Sequence, residues 1–159
     1  MGTHIISVLL ENSSGALSRV AGLFSSRGYN ISSLSVAETE DPTVSRMTIV
    51  VDGEESILEQ IVKQLNRLID VIKVIDFTNE EIVERELVII RIDASRTDRS
   101  EIIQLASLFN AKVAAVTHNS ITVEITGTKK SAEELIALLK PYGIKELVRS
   151  GTIAIAQRK

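Results

Sequence analysis

Apolar residues in this chain switch between strand and helix periods in a set order through the first half, and the same order returns in the second. Residues 4–11 are leucine-rich and β-branched. From Leu17, apolar residues recur at Val20, Ala21 and Phe24, the spacing of a helix with one buried face. Ser14 is placed to cap that helix and Gly28 to end it in a left-handed turn. Two strand-like runs follow, Ile31–Thr39 and Val44–Val51, joined by Glu40-Asp41-Pro42-Thr43, whose Pro and Asp favour a turn. A second helix is predicted over 54–69 from Ile57, Ile61, Leu65, Leu68 and Ile69, and a closing strand over 71–77.

Beyond the polar stretch Thr78-Asn79-Glu80-Glu81 the plan repeats. Leu87–Ile92 reads as a strand, and Ile102, Leu105, Ala106 and Phe109 mark a helix face. Val113–Thr117 and Ile121–Ile125 form a hairpin around His118-Asn119-Ser120. Ala132, Leu135, Ile136 and Leu139 mark a further helix, which Gly143 helps to end. Val148–Ala156 supplies the last strand, bent or bulged at Gly151.

Strand–helix–strand–strand–helix–strand, written twice, predicts an α+β protein of tandem ferredoxin-like βαββαβ sandwiches. The expected domains are residues 1–77 and 82–159, with 78–81 as linker. Helices on one face leave the other face, or an edge, in need of cover. Ile5, Val8, Val36, Met47, Ile49 and Val51 look too apolar for open water, so self-association is expected.

Composition narrows the chemistry. Over 159 residues, 18 basic and 21 acidic side chains leave a net charge of −3, with no electrostatic footprint for nucleic acid or anionic lipid. An RNA-recognition motif shares the βαββαβ order but stacks bases on strand aromatics. The corresponding strands here, HIISVLL and RMTIVV, have none. Without Cys, thiolate nucleophiles and Cys-based zinc sites are excluded. His4, at a strand start, and His118, in a turn, read as surface residues. The acidic runs Glu38-Thr39-Glu40-Asp41 and Glu54-Glu55 read as a polar loop and a helix's first turn rather than metal ligands. Arg96-Thr97-Asp98-Arg99-Ser100-Glu101 reads as a solvated loop and cap. No catalytic constellation emerges, and no metal site is expected. Strand-like sequence begins by His4 and no apolar run is long enough to span a bilayer, so a cytoplasmic protein is expected.

The turn Glu11-Asn12-Ser13-Ser14-Gly15 runs directly into the first helix. A helix start offers unpaired N–H groups and the positive end of the dipole, a seat for a carboxylate. Gly15, Ala16 and Leu17 would supply those amides, and Gly15 allows close approach or a positive φ. Asn12, Asn30 and the carbonyls near Ile31 could accept from an ammonium, and either Asn could also donate to a carboxylate. Equally, Asn12 could make an Asx turn, Ser14 a cap, and Asn30 could merely follow the Gly stop.

Ser7–Gly53, notably LLENSSGALSRVAGLFSSRGYNISSLSVAETEDPTVSRMTIVVDG, resembles the small regulatory subunits of acetolactate synthase (acetohydroxyacid synthase). The likeness thins after Leu65 and returns at Val83-Glu84-Arg85-Glu86-Leu87 and Arg149-Ser150-Gly151. It implies that residues 1–77 are an ACT domain, a regulatory βαββαβ module that pairs side by side with a second copy. It further implies a non-catalytic subunit that activates the catalytic subunit in valine, leucine and isoleucine biosynthesis and confers feedback inhibition by valine. Asn12, Gly15, Ala16 and Leu17 would form one side of the effector pocket. Asn30 and Ile31 of a second protomer would form the other, with Ala37 near the interface. No cofactor is expected in this chain; thiamine diphosphate, FAD and Mg would belong to the catalytic subunit. The alternative is a stand-alone ACT-domain amino-acid sensor acting on another enzyme or regulator. The second domain's first turn, Ser95-Arg96-Thr97-Asp98-Arg99, lacks the Asn/Gly pattern and is not expected to bind an amino acid in the same way.

Overall fold

The computed structural model describes residues 2–94 and 98–158. The chain divides into two compact units, one running up to Val83 and taking in the segment from Thr152 onward, the other Glu84–Gly151. The first unit contains β1 (Gly2–Glu11), α1 (Ala16–Arg27), β2 (Asn30–Glu38), β3 (Val44–Gly53), α2 (Glu55–Asn66) and β4 (Val71–Asp76). Its strands lie in the order β2-β3-β1-β4, every described pair antiparallel, so β2 and β4 are the edges. In the second, β5 (Ile82–Asp93), α3 (Arg99–Leu108), β6 (Lys112–Val116), β7 (Ser120–Gly127), α4 (Lys129–Leu139) and β8 (Ile144–Arg149) give the matching order β6-β7-β5-β8. Each is the ferredoxin-like α+β arrangement that the element order predicts.

The two helices of each unit cover one sheet face. In the first, Ile6, Val8 and Leu10 of β1 and Met47, Ile49 and Val51 of β3 meet Val20 and Phe24 of α1 and Leu58, Ile61 and Leu65 of α2. In the second, Val88, Ile90 and Ile92 meet Ile102, Ala106, Leu135 and Leu139. The strand period of 2 and the helix period of 3.6 put these residues on facing surfaces, where their burial drives folding. Val8, Met47, Ile49 and Val51, expected to need outside cover, therefore find it beneath their own unit's helices. Val36, on the edge strand β2, stays 41% exposed.

Several boundaries differ from expectation: α2 ends at Asn66, leaving Ile69 exposed rather than on its buried face, and β5 begins at Ile82 rather than Leu87. The strand expected over 148–156 is two strands, β8 and β9 (Ile153–Ala156). Gly151 separates them with φ +81°, a backbone that breaks a strand rather than bending it. β8 also begins earlier, at Ile144, in a stretch whose Lys145-Glu146 pair disguised it. β9 groups with the first unit, although residues 82–159 were expected as one domain. There the Gln157 N–H donates to the Glu81 carbonyl, 2.9 Å away. β9 pairs with β5, whose first residues, Ile82 and Val83, belong to that unit. No helix among the described residues is long and apolar enough to cross a membrane.

Candidate functional site

The turn after β1 is held from three sides. The Glu11 N–H donates to the Asp70 carbonyl at 2.8 Å, and the Asn12 N–H to the Thr43 carbonyl at 2.7 Å. The Ser13 N–H closes back on the Glu11 carbonyl, also 2.8 Å. Gly15 then adopts φ +86°, ψ −6°, a left-handed conformation that side chains disfavour. It is the residue that precedes the helix, displacing the expected Ser14 cap by one position, and no side chain caps α1.

The first i→i−4 bond of α1 runs from the Arg19 N–H to the Gly15 carbonyl at 2.9 Å. The Ala16 amide, expected to face a ligand, is instead occupied by the Ser13 carbonyl at 3.2 Å. The amides of Leu17 and Ser18 precede that first helical bond and keep the donor character of a helix start. With no acidic residue in the first turn, the positive end of the dipole is not offset there.

Arg19 was not anticipated. Its guanidinium pairs with Asp70 through Nε–Oδ2 and through Nη2–Oδ1 at 3.0 Å. Nη2 also donates to the Ser14 carbonyl at 3.3 Å, and the Ser13 hydroxyl to Asp70 Oδ1 at 3.4 Å. Asp70 is only 5% exposed. The Arg19 hydrogen bond holds its carboxyl below the ordinary carboxylate range, against the opposing effect of desolvation. The same bond raises the Arg19 guanidinium. A Cβ on Gly15 would lie 3.0 Å from Arg19 Nη1, so glycine here leaves space for the arginine as well as permitting the turn. The only sequence signal was the four-residue spacing of Gly15 and Arg19.

The two asparagines point their amides in a definite sense. Asn12 Nδ2 donates to the Pro42 carbonyl at 2.9 Å and, at 3.4 Å, to Glu38 Oε1. Asn30 Nδ2 donates to Asp52 Oδ2 at 3.2 Å. A carbonyl and an ionised carboxylate can only accept, so each Asn turns its NH₂ toward the protein, Asn12 onto two acceptors and Asn30 onto one of the two that its NH₂ can serve. Asn12 therefore has its two N–H groups engaged within the chain, whereas Asn30 has a second N–H beside its oxygen.

Within one chain these residues form two groups. Asn12 lies at the start of β3, on the Thr43 carbonyl, with Gly15, Ala16 and Leu17 following it in the turn and the first residues of α1; at that end of β3 Ala37 pairs with Arg46 and Glu38 with Ser45. An open recess of about 400 Å³ lies there, lined by Glu11, Asn12, Ser13, Thr43, Val44 and Ile72. Asn30 pairs with Asp52 and Ile31 with Val51 at the far end of β3. Eight residue steps along β3, roughly 27 Å at ~3.4 Å each, separate the two groups. The side chain of Ile31 packs against the core.

His4, expected at the surface, is partly buried between the Thr78 hydroxyl (3.1 Å) and the Gly53 carbonyl (3.2 Å). His118 is in the exposed β6–β7 turn as expected, where the His118 carbonyl accepts from Arg99 Nη2 at 2.6 Å. In the second unit's first turn, Ser95, Arg96 and Thr97 lie outside the described residues. Among the described residues no three or more His, Asp or Glu side chains gather where a metal ion could be held.

Residues 6–73 match the family described as the AHAS small subunit-like ACT domain, and residues 85–158 the family described as the small subunit of acetolactate synthase. The acetolactate synthase small subunit of Mycolicibacterium smegmatis is 49% identical over 155 residues, covering 98% of this chain and 91% of that protein. A probable acetolactate synthase small subunit of Archaeoglobus fulgidus is 48% identical, over 97% of this chain and 96% of its own. The crystal structure of the acetolactate synthase small subunit from Thermotoga maritima superposes with a TM-score of 0.91 at 37% identity, covering 100% of this chain and 99% of that one. With both halves matched and the relatives aligned along almost their whole length, the chain belongs to the family of acetolactate synthase small subunits.

Proposed function

We propose that this chain is a non-catalytic regulatory subunit: it binds an acetolactate synthase catalytic subunit, raises its activity and confers feedback inhibition by valine. The effector would sit between the ACT domains of two protomers. Thiamine diphosphate, FAD and Mg would be carried by the catalytic partner.

One observation supports the shared site above all: the two halves of the candidate pocket lie at opposite ends of one edge strand. β2 has β3 as sheet neighbour on one side only. Antiparallel pairing of β2 with the same strand of a second copy, about Leu34, sets residue 30 opposite residue 38. That operation carries the second copy's Asn30 to the Asn12 and Gly15 end, and the twofold repeats the site. The valine carboxylate would face the amides of Leu17 and Ser18, and its ammonium the Asn oxygens. Because two protomers share each pocket, an effector that binds one arrangement of the pair more tightly shifts the population toward it. Such coupling is typically ~1–3 kcal/mol.

The test is reconstitution with the catalytic subunit, measuring acetolactate formation with and without valine, leucine or isoleucine. Stimulation by the chain, reversed by valine, is the expected result. No stimulation and no amino-acid response would overturn the proposal and favour a sensor of another enzyme.

A further inference from the structure

Asp52 stands one strand behind the candidate pocket, in register with Asn30. Its Oδ2 accepts from Asn30 Nδ2 and from the Ser32 hydroxyl, and its Oδ1 from the Thr3 hydroxyl at 3.0 Å. An asparagine side chain is nearly symmetric in shape and opposite in hydrogen-bonding sense at its two ends. Left alone in a shared pocket, it could turn either its oxygen or its NH₂ to a ligand. A carboxylate behind it fixes the sense of the amide, since only the NH₂ can face an acceptor and the oxygen must turn away. Asn12 has the same arrangement, with the Pro42 carbonyl behind it.

We infer that Asp52 is a positioning residue that sets the polarity of the effector site, locking Asn30 with its oxygen outward so that the pocket receives an ammonium there. The inference rests on the shared pocket proposed above and adds the group that orients it. The helix start is then the place for the carboxylate, and the two asparagine oxygens are the place for the ammonium. An amino acid is thereby distinguished from the carboxylic acid of the same shape.

The decisive experiment is a double-mutant cycle read by calorimetric titration of valine into the full-length chain. Asp52→Asn lets Asn30 face it with either end, and should weaken valine about tenfold. Asn30→Ala should weaken it by a similar factor. In the double variant, the Asp52 change should add less than about twofold, because its effect passes through Asn30. Ser32→Ala, which removes another donor to the same carboxylate oxygen, should leave valine affinity within about twofold. Isovalerate, which lacks the ammonium, should bind wild type and Asp52→Asn alike. Circular dichroism and the urea midpoint report folding of each variant.

An Asp52→Asn loss of equal size with and without Asn30 would show a general structural role and overturn the inference. Unchanged valine affinity in Asp52→Asn, with Asn30→Ala weakened, would overturn it while leaving the pocket intact. Wild-type affinity in Asn30→Ala would instead sink the pocket itself.

Discussion

In the first unit the buried carboxylate is Asp70, paired with Arg19; in the second it is Glu86, 4% exposed and paired with Arg149. The chemistry matches, but the placement in the fold does not. Asp70 sits where β1 ends and the site turn begins, joined to Glu11, Ser13 and Arg19. Glu86 sits within β5, where its pairing with β7 begins, opposite Gly127 at the end of β7. Its Arg149 lies in β8 and also reaches Glu133 of α4, 3.7 Å away. The second pair ties strands and a helix together at the end of the sheet away from its first turn. The first pair ties down the turn itself. Two copies of one fold therefore use the same ion pair, once to brace a core and once to brace a candidate binding loop.

The sharpest break between the units should come from Gly15→Asp. The left-handed backbone there costs any side chain about 1 kcal/mol. Arg19 Nη1, 3.0 Å from the new Cβ, must give way by a few tenths of an ångström, which the far end of a flexible side chain can do, so the subunit should still fold with the new carboxylate beside the guanidinium. The anion seat would then be filled from within. Valine affinity should fall at least about 100-fold, on the order of 3 kcal/mol for a charged group left without its partners. Stimulation of the catalytic subunit should persist. Wild-type valine inhibition in this variant would mean that the turn does not receive the carboxylate.

Charge-removing variants of the two buried carboxylates should separate bracing a core from bracing a site. Glu86→Gln leaves Arg149 with Glu133 as its remaining carboxylate partner and should lower stability by about 2 kcal/mol, less than for a fully buried pair because Arg149 is partly exposed, without changing the valine response. Asp70→Asn should lower stability too, and should also weaken valine several-fold, because Ser13 and Arg19 lose their common anchor. Urea denaturation and valine titration of both variants provide the comparison. Equal valine affinities would make the Asp70 pair a structural device like its counterpart.

These roles were unequally visible in the sequence. Of the helix stripe, Val20 and Phe24 really are buried, while Leu17 and Ala21 are exposed. Met47, Ile49 and Val51 of β3 face the same core, although Thr48 and Val50 between them are buried too. Gly28 ends α1 as expected, with φ +70°. Which face needed outside cover was less legible, because Val8-Leu9-Leu10 is apolar on both parities. Asp70 was illegible for another reason. Its burial depends on Arg19, 51 residues away, and a single distant pair leaves no period to read. The sense of each Asn amide is likewise set by partners distant in sequence, Pro42 for Asn12 and Asp52 for Asn30. The separation of Asn12 from Asn30 follows from strand register, and only the family resemblance distributes them over two protomers.

The smallest expected effect is on acid stability, and it follows from the same pair. Arg19 holds the Asp70 carboxyl below its unfolded value, so the unfolded chain binds the proton more readily. The stability this contributes is complete above the ordinary Asp value of ~3.9 and is lost as pH falls from there through the folded-state value. The Asp41 carboxyl, held low by the hydroxyl and amide of Thr43, acts in the same direction and window. Wild type and Asp70→Asn should therefore differ in urea midpoint at pH 6 and converge as the pH drops below 4. Both proteins should retain the further acid dependence that Asp41 supplies. A gap that stayed constant down to pH 2.5 would show that Asp70 contributes through packing and hydrogen bonds common to both forms. Its ionised pair with Arg19 would then not be what distinguishes the first turn from the second unit.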